Sequence, residues 1–139
     1  MVDSMAFFVP GKPIPQPRHR VAVRGRFPTA YIPKEHPVHA WKRHVESCAV
    51  AVLNEREIVR QWDRECALHL ILAFYLPRPK SNKTQLPRCR PDLDNLDKAV
   101  MDALTGLLWS DDSQVVWLAS EKVWSDPKDA GVKVTVWHD

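Results

Sequence analysis

Apolar residues recur along this chain in two rhythms. Val38, Trp41, Val45, Cys48 or Ala49, and Val52 are spaced by threes and fours, the period of a helix that hides one face. They predict an amphipathic helix from Val38 to Leu53, with Pro37 just before it. A second stripe of Leu93, Leu96, Val100, Ala103 or Leu104, and Leu107 predicts a helix from Leu93 to Thr105 that Gly106 can terminate. The other rhythm is that of strands. Met5 to Phe8, closed by Pro10 and Gly11, reads as a first strand, and Cys66 to Pro77 is long and apolar enough for a central one. VAVRGRFPTAYI predicts a hairpin turning near Arg24 and Gly25, with Pro28 confining the second arm to an edge or bulge. QVVWLASEKVW and GVKVTVWH, separated by SDPKDAG, predict a closing hairpin.

Two linking segments are rich in proline and basic residues. KPIPQPRHR should be extended, and RPKSNKTQLPRCRP should form a mobile loop. No repeat or domain boundary interrupts the pattern. The expected fold is therefore one α/β domain over residues 1–139, a mixed sheet with two main helices packed on it.

Charge sharpens this picture. Residues 1–90 hold 16 Lys and Arg against 7 Asp and Glu, whereas residues 91–139 hold 4 against 10. A basic portion joined to a short acidic one suits a polyanion held against a cation-binding centre. No apolar run approaches a membrane span, and MVDSMAFFVPGKP does not resemble a secretory signal. Cys48, Cys66 and Cys89 are odd in number and show no C-x-x-C spacing, which argues against a disulfide framework or zinc ribbon and for a reducing cytoplasm.

The acids gather between Arg90 and Val115. Asp94, Lys98 and Asp102 fall at i, i+4 and i+8 of the second helix, and Asp92 stands just before its first turn. N-capping explains one aspartate there, not two followed by Asn95. Asp111 and Asp112 follow in a polar turn, where ordinary turn chemistry is the alternative. Two or three aspartates converging from a helix start and a turn would suit a hard cation such as Mg²⁺. Lys98 could neutralise phosphate charge or orient water, or could simply pair with Asp94 or Asp102.

The run DLDNLDKAVMDALTGLLWSDDSQVVWLASEK, with D-x-D-N-x-x-K, then D-A-L, then D-D-x-Q-V, resembles the signature of the RusA-like Holliday junction resolvases. The firm match covers Asp92 to Lys122; elsewhere the layout agrees, including a Y-x-P-K step at Tyr31 to Lys34. The resemblance implies a homodimeric endonuclease of phages, prophages and bacteria that uses Mg²⁺, with Mn²⁺ able to substitute, and no organic cofactor. It implies paired symmetric cuts in four-way DNA junctions during recombination and repair. It assigns metal binding to Asp92, Asp94 and Asp112, catalysis to these three with Lys98, and supporting roles to Asp111, Asn95 and Asp102. Pro91 departs from the pattern, standing where a family member carries arginine, with Arg90 one place earlier.

The best candidates for phosphate contact are Lys12, Arg18, Arg20, Arg24, Arg26, Lys34, Arg90 and Lys122, with His19 beside the first arginines. The six tryptophans suit core or dimer contacts, and Trp109 beside the acidic turn could instead abut DNA. His36, His39 and His44 suit helix-start and surface roles better than zinc, because no cysteine or acid completes a ligand set. Two rivals remain: a branched-DNA-binding module that does not cut, and a D-x-D glycosyltransferase, which normally needs a larger nucleotide-binding fold.

Overall fold

The computed structural model describes residues 4–25, 27–56 and 62–138. Six strands and two helices follow in the order β1 (Ser4–Pro10), β2 (Arg20–Arg24), β3 (Phe27–Tyr31), α1 (Pro37–Glu55), β4 (Leu68–Pro77), α2 (Leu93–Leu104), β5 (Val115–Ser125) and β6 (Gly131–His138). Four strands form one sheet in the order β1-β6-β4-β5, and β2 and β3 form a separate antiparallel pair.

Both helices match their sequence stripes. Pro37 opens α1, and His36 Nδ1 caps it by accepting from the Val38 amide at 3.0 Å. Val38, Trp41, Val45 and Ala49 are buried. Gly106, at φ 91°, takes the left-handed conformation that ends α2 without a Cβ penalty. The β2–β3 hairpin turns at Gly25, as expected, at φ 66°.

The closing hairpin is not formed. β5 and β6 are consecutive, but β4 lies between them, antiparallel to β6 and parallel to β5. β4 is apolar enough to need a neighbour on each side, and a parallel neighbour requires a crossover, which α2 supplies. The inward residues Leu68, Leu70, Leu72, Phe74 and Leu76 of β4 join Val132, Val134 and Val136 of β6, Met5, Phe7 and Val9 of β1 and both helix stripes in one core. Each fully buried Leu or Phe contributes roughly 1.5–3 kcal/mol.

On the opposite face, His69 stacks on Trp137 with ring centroids 5.3 Å apart, and Trp117 lies 5.9 Å from Trp137. The segment after β4, expected to be mobile, is instead tied down. Arg78 N donates to Ser125 O at 3.1 Å, Trp124 Nε1 to Thr84 Oγ1 at 3.3 Å, and Lys122 Nζ to Cys89 O at 2.7 Å.

Candidate active site

The acidic helix begins where Asp92 occupies the N-cap position with extended backbone, yet its side chain makes no capping hydrogen bond. The ordinary explanation for an aspartate at this position is therefore not realised, and the exposed carboxylate remains available. Asp94, also exposed, accepts from the Asn95 amide through Oδ1 at 3.0 Å. Lys98 is exposed and forms no ion pair among the described residues; Asp102 pairs instead with Lys42 of α1 at 3.6 Å. Asp102 thus links the two helices.

Basic chain flanks this helix start. The Gln16 amide donates to Asn95 O at 2.9 Å, which docks the proline-rich segment on the first turn of α2 and leaves Arg18 exposed two residues on. Arg90, exposed, lies immediately before the cis bond to Pro91, two residues from Asp92. Lys12 and Lys34 are exposed too. Arg26 falls outside the described residues, as do the side chains of Arg20 and Arg24.

Lys122, expected at phosphate, is half-buried and donates to Cys89 O at 2.7 Å and Pro91 O at 2.9 Å. Its ammonium fixes the main chain that delivers Asp92. Trp109 is a clear correction: it is fully buried, with Nε1 donating to Thr105 Oγ1 at 2.9 Å, so it cannot abut DNA. His36, His39 and His44 take the expected roles, capping α1 or meeting the carbonyls of Pro33 and Pro10.

The second acidic group is built differently. Asp111 caps a 3₁₀ turn at Asp112–Gln114, accepting from the Ser113 amide at 2.9 Å, which with the Ser113 hydroxyl holds its pKa below the usual carboxylate value. Gln114 completes the box by accepting from the Asp111 amide at 3.1 Å, and its amide nitrogen reaches Asp63 O at 2.9 Å. Asp111 is thereby committed to the turn, whereas Asp112 remains exposed.

These two groups do not meet within the chain. Lys122 holds the segment before Asp92, while Asp112 precedes Val115, so most of β5 separates them, about 20 Å at 3.3 Å per residue. Among the described residues, no three His, Cys, Asp or Glu side chains are grouped to hold a metal.

Sequence reasoning gave Asp97 no role. It is 8% exposed on α2, with Ser120 Oγ of β5 donating to Oδ2 at 2.8 Å and, among the described residues, no hydrogen-bond partner for Oδ1. Burial raises its pKa to about 6; the Ser120 bond opposes that rise and the charge of Asp94 adds to it. The signal was its place on the stripe, four residues after Leu93 and three before Val100.

Exposed carboxylates at a helix start flanked by arginine-bearing chain suit an enzyme acting on phosphodiesters. Comparison gives the family: a family model described as endodeoxyribonuclease RusA matches residues 10–137, and the chain belongs to that family of endodeoxyribonucleases. A Lactococcus phage r1t protein named crossover junction endodeoxyribonuclease rusA is 41% identical over 63 residues, 45% of this chain and 48% of that one. That match spans about half of the phage protein. Bacillus subtilis (strain 168) has a protein, named uncharacterized protein YqaN, that is 28% identical over 133 residues, 90% of this chain and 91% of that one. No described helix is long and apolar enough to cross a membrane.

Proposed function

We propose that the protein is a Mg²⁺-dependent, structure-specific endonuclease that resolves four-way DNA junctions as a homodimer in the cytoplasm of bacterial or phage-infected cells. The observation that carries this reading is the Asp92–Asp94 pair, with Asp92 left uncapped at the start of α2 and basic chain docked beside it. The phage relative's name points to crossover junctions.

The donor set suits a hard cation, because Mg²⁺ commonly takes one or two carboxylates and completes its shell with water and substrate phosphate. Asp92 and Asp94 would hold it; Asp112, the third candidate, does not meet them within the chain. When bound, Mg²⁺ places positive charge at the scissile phosphate and activates water. Lys98, free of ion pairing among the described residues, is available to neutralise charge developing on the phosphate. Arg18, Arg90, Lys12 and Lys34 grip flanking phosphates and hold the strand against the carboxylates.

The test uses a four-way junction and a linear duplex, each strand labelled in turn, with Mg²⁺ or EDTA. Paired cuts in the junction only, and only with Mg²⁺, are expected. Junction binding without cutting under every divalent cation would overturn the enzymatic reading and leave a binding module.

A further inference from the structure

The chain from Lys12 to Lys34 holds six Lys and Arg and no Asp or Glu. In its middle, β2 and β3 form a two-stranded ribbon apart from the main sheet. We propose that this ribbon is a wedge for the branch point: Phe27 and its apolar neighbours stack on the base pairs that border the crossing of a four-way junction and hold the arms apart. This deepens the junction reading above and rests on it.

The ribbon is tied at its roots and open at its tip. Gln16 N, before β2, donates to Asn95 O of α2 at 2.9 Å. Pro33 O, after β3, accepts from His36 N at 3.1 Å and from His39 Nε2 at 3.0 Å, at the start of α1. At the turn, beyond its chain neighbours, no described atom lies within 4 Å of where a Cβ would stand on Gly25. Val21, Val23 and Phe27 are 68%, 73% and 74% exposed, and every residue of β3 is exposed. A two-stranded hairpin by itself is marginally stable in water, so one showing this much apolar surface needs a cover.

Register divides the ribbon into two faces. Val21 stands opposite Ala30 and Val23 opposite Pro28, which makes one face apolar from end to end. Phe27 stands opposite Arg24 and Tyr31 opposite Arg20, so on the other face each aromatic shares its place with an arginine position. The ribbon of a second copy would meet this one like charge against like. DNA instead brings phosphates for the arginines and flat base surfaces for the apolar residues.

A ribbon of this size also fits a major groove, but a groove reader turns hydrogen-bonding side chains toward the bases. Val21, Val23, Pro28 and Ala30 supply none. The crossing of a junction is the better match, because stacking is already interrupted there and an inserted apolar side chain displaces less of it than in continuous duplex. The reach of the ribbon suits this place. Arg24 lies eight residues beyond Gln16, so the turn stands within about 28 Å of the first turn of α2, roughly eight base-pair steps. A wedge seated at the crossing keeps Asp92 and Asp94 within that distance of it, and a linear duplex offers no such seat.

The experiment places 2-aminopurine either at the branch point of a four-way junction or in the middle of one arm, and adds the protein in EDTA. The wild type should raise emission several-fold at the branch point, where bases lose their stacking neighbours, and not in the arm. Phe27→Ala should lose most of that rise, and its preference for junction over linear duplex should fall about tenfold. Phe27→Leu, which keeps an apolar wedge, should retain most of both. Cutting by Phe27→Ala in Mg²⁺ should recover on a junction whose branch point carries unpaired nucleotides, since that centre is already open.

An undiminished emission rise with Phe27→Ala would overturn the wedge. Equal losses on junction and duplex would make the ribbon a plain phosphate grip and overturn it too. Weakened self-association of Phe27→Ala in sedimentation, with the emission rise intact, would assign the ribbon to a second copy of the chain instead. A wild type that binds the junction no more tightly than the duplex would remove the junction reading itself, and the wedge with it.

Discussion

Asp97→Asn should change how stability depends on pH. In the folded chain, Asp97 has a pKa of about 6, chiefly through burial, against about 3.9 when unfolded. A raised carboxyl pKa means that the folded state binds the proton more tightly. Its stabilising contribution is full below about pH 4 and is lost as pH rises through about 6. The difference corresponds to about 3 kcal/mol over the full range, and to about 2 kcal/mol between about pH 4.5 and pH 8.

Asparagine is neutral throughout, so the variant should lack this slope. It keeps an acceptor for Ser120 Oγ, but puts an amide N–H₂ where Oδ1 has no partner, which costs roughly 1–3 kcal/mol at both pH values. Urea unfolding in EDTA at the two pH values measures the effect, with the wild type losing about 2 kcal/mol relative to the variant on going to pH 8. A wild-type-minus-variant gap equal at both pH values would refute the reasoning. Using the difference isolates Asp97 from Asp111, whose lowered pKa acts oppositely: that stability is present above the unfolded pKa and lost as pH falls through the folded one.

Other substitutions separate roles along the site. Lys122→Met should raise the Mg²⁺ concentration needed for half-maximal cutting several-fold while leaving the salt dependence of junction binding in EDTA unchanged; a slope lower by about 0.9 would make Lys122 a phosphate contact instead. Arg18→Ala with Arg90→Ala should do the reverse, flattening that slope by up to about 1.8 without altering Tb³⁺ binding by the free protein, measured through tryptophan-sensitised emission. Trp109→Ala removes a fully buried indole and should cost about 3–5 kcal/mol in chemical unfolding; a loss under about 1 kcal/mol would contradict its core position.

Both helices were legible because each turn repeats its apolar residue on one face. Sheet order was not, because alternation within a strand names its buried face and not its neighbours. The short SDPKDAG connection suggested a hairpin, while the pairing needs of β4 placed that strand between β5 and β6. Asp92 and Asp94 were legible as a pair because helix spacing fixes them relative to one another. The place of Asp112 was not, because α2 carries the chain about 18 Å away before the acidic turn begins. Asp97 was hidden for another reason: its character depends on Ser120, 23 residues on, and no local pattern records that bond.

The inward side of β5 links these observations into one device. Ser120, Lys122 and Trp124 alternate along one face of the strand, and their donors reach Asp97 of α2, the carbonyls before Asp92, and Thr84 in the basic segment. One strand thereby sets the acidic helix and its basic flank against each other, so a shift of β5 moves carboxylates and arginine-bearing chain together. A substitution at Ser120 or Trp124 that loosens these bonds should therefore lower cutting of a labelled four-way junction more steeply than binding to it, since it removes none of the exposed arginine or lysine side chains.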